Sequence, residues 1–185
     1  MAVWQFDFFL VSRAEIRRVF GNLPKRVPDL ASISDDVDLD VDVLTYLDFQ
    51  PTSKADLVSN LLPEMHSWSD EAQMFGTSDS DKIELWEDMF LVRVDLRDLS
   101  VRFLESVVQV ALSLNCLIVC KESGNLLRPD FADLCNEIQN SPAAQFVRDP
   151  LAFLGIMSLK KDGGEGVRHR LLREQDATPE RIDGD

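Results

Sequence analysis

Histidine and cysteine are scarce in this chain, long apolar runs are missing, and basic side chains are heavily outnumbered. Each shortage removes a class of function. The two histidines, His66 and His169, stand far apart, so no histidine-based zinc set is supported and no metal is expected. Three cysteines, Cys116, Cys120 and Cys135, make an odd count in apolar or helical surroundings, where a free thiol behaves as a small hydrophobe; a disulfide framework is not expected. The longest apolar runs are of strand length, well short of the roughly 18 residues a membrane span needs. The opening Met1-Ala2-Val3-Trp4 has neither the basic start nor the cleavage pattern of a secretory signal, and a cytoplasmic protein is the expectation. There is also no G-x-S-x-G elbow, no P-loop, no G-x-G-x-x-G after a strand, and no Cys–His pairing that would activate a thiol. Acidic pairs abound, but nothing singles out one of them as a general acid and base placed across a cleft. The expectation is a protein without catalytic residues or a cofactor.

What is abundant is negative charge, and it is concentrated. Of the net −14, residues 31–90 contribute −13, with fifteen acidic and two basic side chains. Such a field repels nucleic acid and anionic membranes and favours a basic partner, over a screening distance of about 8 Å at physiological salt.

At 185 residues with 45% apolar content, the chain is long enough for one ordinary core. Its clearest stretch runs from Phe90 to Cys120. Phe90, Val92, Val94 and Leu96 alternate with Leu91, Arg93, Asp95 and Arg97, the period of a half-buried strand. Ser100 can cap a helix over Val101 to about Asn115, and Leu117-Ile118-Val119-Cys120 follows as a strand that turns at Glu122-Ser123-Gly124-Asn125 into Leu126-Leu127-Arg128. Arg93 and Arg97, beside Asp95 and Asp98, read as an ion-pair ladder on an open sheet face, each pair worth well under about 1 kcal/mol. Trp4 to Val11 is a further strand, with Trp4, Phe6, Phe8 and Leu10 on one side. Ser12-Arg13-Ala14-Glu15 then matches a capping box for a helix to about Phe20 that Gly21 stops. Ile83 to Trp86 pairs into the central strand across a short turn. Pro129-Asp130 and Ser141-Pro142 open two late helices. Together these elements predict an α+β fold: a single domain over 1–159 with about five mostly antiparallel strands and helices mainly on one face, followed by a disordered tail over 160–185.

Two local features are candidate partner-binding sites. Asp36, Asp38, Asp40 and Asp42 alternate with Val37, Leu39, Val41 and Val43, which in an extended segment would align a row of carboxylates roughly 6.5–7 Å apart. A calcium loop fails on spacing, since Val41 falls where glycine is needed and Leu47 where the bidentate glutamate is needed. A solvated edge, a docking surface and a cation site remain as readings. Trp68 lies in a polar stretch with Phe75 and Gly76, where a large aromatic either pins the loop or recognises a partner.

Over residues 4–158, the segments FDFFLVSR, SWS, FG, VDLRDLS and SPAAQFVRDPLAFL together resemble a group of small uncharacterised bacterial proteins. In size, acidity and mixed layout the chain is similar to the immunity proteins of bacterial toxin systems. That resemblance implies a non-enzymatic cytoplasmic protein that blocks a basic toxin through an acidic surface. It carries over no catalytic or binding residue. The rival expectation is a small enzyme or ligand-binding domain with a pocket near Trp68 and Phe75.

Overall fold

Along the described residues of the computed structural model, the strands and main helices follow in the order β1 (Gln5–Ser12), α1 (Arg13–Phe20), α2 (Ala55–Ser59), β2 (Glu64–Met65), β3 (Gln73–Gly76), β4 (Lys82–Leu85), β5 (Phe90–Asp95), α3 (Val101–Ser113), β6 (Cys116–Cys120), β7 (Leu126–Leu127), α4 (Phe131–Asn140) and α5 (Pro142–Arg148). The structure describes residues 2–27, 55–77, 80–86 and 90–155. Helices and an antiparallel sheet make the fold α+β. The chain divides into two units, Met1–Val147 and Arg148–Asp185. In the second, residues 150–155 are helical, opened by the Asp149 carboxylate accepting from the Ala152 amide. The tail expected over 160–185 lies outside the described residues.

The aromatic alternation of β1 suits an interior strand, and it lies between β5 and β6 in the order β2-β3-β4-β5-β1-β6-β7. Phe6 sits opposite Val94 and Phe8 opposite Val92 on β5, while Phe8 and Leu10 face Cys120 and Ile118 on β6. Both β5 and β6 run antiparallel to β1, so the strand–helix–strand stretch read from the sequence is a crossover in which α3 links two parallel strands with β1 between them. The Ser100 hydroxyl caps α3 by accepting from the Phe103 amide at 3.2 Å. Asp130 and Ser141 cap α4 and α5 in the same way. Half of the expected capping box at α1 forms: Ser12 accepts from the Glu15 amide at 3.5 Å, but the Glu15 carboxylate turns away to Arg18 at 2.6 Å.

Among the described residues the sheet has seven strands where about five are expected. The two additional ones are β2 and β3, in the stretch read as a loop around Trp68 and Phe75. A two-residue and a four-residue strand are too short to show a period, and β3 ends on Gly76. That glycine has φ of 117°, and a Cβ there would stand 2.2 Å from the Asp81 carbonyl oxygen, so no other residue lets β3 turn into β4 at this distance.

Period-2 alternation sorts the side chains into two cores. Phe6, Phe8, Val92, Val94 and Ile118 join buried residues of α3, α4 and α5, with Val58 of α2, in the larger cluster. Phe9, Val11, Leu91, Leu117 and Val119 form a smaller one with Ile16 of α1 and Val27.

Candidate functional site

On the face of the smaller core, the apolar surface ends at the row beside Phe9 and Leu91, where Asp7 lies opposite Arg93 and Arg93 opposite Lys82. The Asp7 side chain is fully buried. Arg93 reaches it with Nε at 3.1 Å and Nη2 at 3.2 Å, a forked pair with two parallel donors. Glu84 stands 3.5 Å from Arg93 Nη1, and Lys121 Nζ is 4.0 Å from the far oxygen of Asp7. Burial pulls the Arg93 pKa down, but hydrogen bonding and charge from Asp7, with Glu84 behind, outweigh it and leave the guanidinium above its ordinary value. The surface ladder expected for Arg93 is therefore corrected. Arg93 neutralises a carboxylate that the Phe-rich strand has taken out of water, beside the buried Phe9.

Arg97 belongs to a second set at the end of β5. The strand stops at Asp95 because a 3-10 turn, Leu96–Asp98, follows, and the Asp95 carboxylate accepts from the Arg97 amide at 2.9 Å and from its guanidinium Nε at 3.0 Å. The Arg97 guanidinium lies over the Trp4 ring, 4.5 Å from its centroid. Hydrogen bonding from Arg97, against the pull of burial, holds the Asp95 carboxyl below its usual range. Its neighbour Asp81 is shifted the other way. Burial raises it, the Asp95 amide at 2.9 Å opposes the rise, and the charges of Asp95 and Asp98 add to it.

Of the expected partner-binding residues, the structure describes Trp68; Asp36, Asp38, Asp40 and Asp42 lie outside the described residues. Trp68 is 73% exposed and rests against Trp86, with ring centroids 5.3 Å apart and planes inclined at 60°. The Trp86 indole N–H points to Glu84 Oε2 at 3.4 Å. Glu84, and through it Arg93, thus links the exposed aromatic corner to the charged row on the sheet. Sequence reasoning missed Trp86 and Glu84, which lie at the end of a four-residue strand, and missed the role of Asp7. One signal for Asp7 was in view: an aspartate inside Phe6-Asp7-Phe8-Phe9 demands a cation.

Phe75, named beside Trp68 for a pocket, is a core residue. The alternation of β3 turns it into the larger core, where it is 3% exposed. Among the described residues, cavities lie at two other places. One of about 300 Å³ is lined by Asn60, Asp81, Ser100, Arg102, Phe103 and Ser106, among others, and one of about 240 Å³ by Phe6, Glu122, Ser123, Glu137 and Asn140 with their neighbours. No disulfide joins the three cysteines, and burial pushes the Cys120 and Cys135 thiols up, away from reactivity at neutral pH. Among the described residues no cluster of three or more histidine, cysteine or acidic side chains is placed to hold a metal ion, and no helix is long and apolar enough to cross a membrane.

In comparisons with known proteins, no family model, no curated protein and no solved structure matches the chain.

Proposed function

We propose that this chain is a non-enzymatic, cytoplasmic binding protein of the immunity type, which neutralises a basic bacterial toxin through an acidic surface. This reading takes the helices as packed chiefly on one side of the sheet, leaving part of the other side free for a partner. The observation that carries it is Trp68: a large aromatic, 73% exposed, held by a second tryptophan within the stretch that supplies nearly all the net charge. Exposed tryptophans with fixed geometry are typical anchors of protein interfaces. Uncompensated acidic charge speeds encounter with a basic partner and disfavours nucleic acid and anionic lipid.

The test is recovery of proteins bound to the tagged full chain from its native host, at low and at high salt. A dominant partner rich in lysine and arginine, retained at low salt and depleted at high salt, is the expected result. Recovery of only acidic or neutral partners would contradict the reading. A second reading, a small ligand-binding domain or enzyme, draws on the 300 Å³ cavity, whose lining includes both Asp81 and Arg102.

A further inference from the structure

Among the described residues, tryptophan rings stand beside carboxylates at two places, and a cation covers the ring at one of them. At Trp4 the cation is in place. The Arg97 guanidinium lies 4.5 Å from the ring centroid, and the Asp95 carboxylate holds it there by accepting from Nε. A ring face, a carboxylate and a cation satisfy one another, the ring through its quadrupole and the carboxylate through charge-assisted hydrogen bonds. At the other place, Trp68 and Trp86 supply two ring faces inclined at 60°; the Trp86 indole N–H is tied at 3.4 Å to Glu84, which is buried and already meets Arg93 at 3.5 Å, so the exposed carboxylates of this region are those of Glu64, Asp70 and Glu71. Among the described residues no cation lies over either of these rings, and Trp68 is 73% exposed.

We propose that the Trp68–Trp86 corner, in the acidic stretch that exposes Glu64, Asp70 and Glu71, receives one lysine or arginine side chain of the basic partner and is the anchor of that interface. This rests on the protein-binding reading above and names the site and the chemistry it leaves open. Charge complementarity selects the occupant. Residues 55–86 carry seven acidic side chains and one basic one, and Glu64, Asp70 and Glu71, on the strands and loop that present Trp68, are exposed. A second copy of this chain would bring the same acidic stretch, and a net −14, against itself. An apolar segment would cover the rings but leave these carboxylates facing an uncharged surface. A cation over the rings meets both demands, and the Trp86 ring is already fixed through its indole N–H by Glu84, itself held by Arg93 at 3.5 Å, so that ring need not be ordered on binding.

The experiment follows the indole N–H signals of Trp4, Trp68 and Trp86 by NMR while the intact chain is titrated with N-acetyl-arginine amide, and separately with N-acetyl-norleucine amide, its neutral counterpart. The expected result is a saturable shift of Trp68 and Trp86 with the arginine probe alone, an unmoved Trp4, and binding about three- to thirtyfold weaker in Trp68→Ala, the range set by loss of one cation–π contact. Equal shifts with both probes would overturn the proposal, since the corner would then bind apolar groups without regard to charge. So would the absence of any saturable shift. Two outcomes separate this proposal from the reading beneath it. Saturable arginine binding by a chain that recovers no basic protein keeps the corner and overturns the protein partner. A basic partner recovered undiminished by Trp68→Ala keeps the partner and overturns the corner.

Discussion

Val92, Arg93 and Val94 are neighbours on one strand, and the two faces they serve solve different problems. On one face, Val92 and Val94 meet Phe8 and Phe6 beneath the helices, and each loses its contact with water to apolar neighbours. On the other, Arg93 meets Asp7, and the burial of the carboxylate is tolerable only because two guanidinium donors and a nearby lysine replace its water. The first kind of site fails when a charge is added; the second fails when one is removed. A strand can therefore hold charged side chains on a face that is not simply its wet side.

Val94→Asp tests the first half of the contrast and should have the largest effect. The site is fully buried with no cation to meet the new carboxylate, so the protein should fail to fold or lose several kcal/mol, read by denaturant unfolding. Next comes Arg93→Ala, expected to cost about 2–4 kcal/mol because it strands Asp7, a value lowered from the fully buried case for the guanidinium's partial exposure. Lys82→Ala, across the strand from Arg93, should stay within about 0.5 kcal/mol of the parent. Equal losses for the two would return Arg93 to the ordinary surface.

A smaller effect, of opposite sign, is expected at Asp81. Its folded pKa is raised, so its charged form opposes folding at neutral pH, and that penalty disappears as pH falls through the folded value. Asp95 behaves inversely: its folded pKa is depressed, and the stability it brings is present above the usual carboxylate range and lost on acidification through the folded value. Asp81→Asn keeps an oxygen acceptor for the Asp95 amide while removing the charge. It should raise the neutral-pH melting temperature by about 2–4 °C at most, the scale of 1 kcal/mol, with the gain vanishing in acid. A gain that persists in acid would assign the effect to packing.

Much of the fold was legible because its main elements carry their own punctuation. Alternating aromatics mark β1, alternating valines β5, and Ser100, Asp130 and Ser141 stand at the helix starts as capping residues. What escaped lacked such marks. β2 and β3 are shorter than the period that would reveal them, so Phe75 was read as a loop aromatic instead of a core residue. The Asp7–Arg93 pair joins residues 86 apart, and a local reading sees each only beside its chain neighbours. At the candidate site, Trp68 could be singled out from its polar setting, but its support could not, since Trp86 and Glu84 approach it only through the β3–β4 pairing and the sheet that follows.

The sharpest single test measures thermal unfolding and partner recovery on the same Trp68→Ala protein. Because Trp68 projects from the surface, its loss should move the melting temperature by no more than about 1–2 °C while abolishing recovery of the basic partner. Undiminished recovery, or a fall in melting temperature as large as that of Arg93→Ala, would show that Trp68 serves the fold and not an interface.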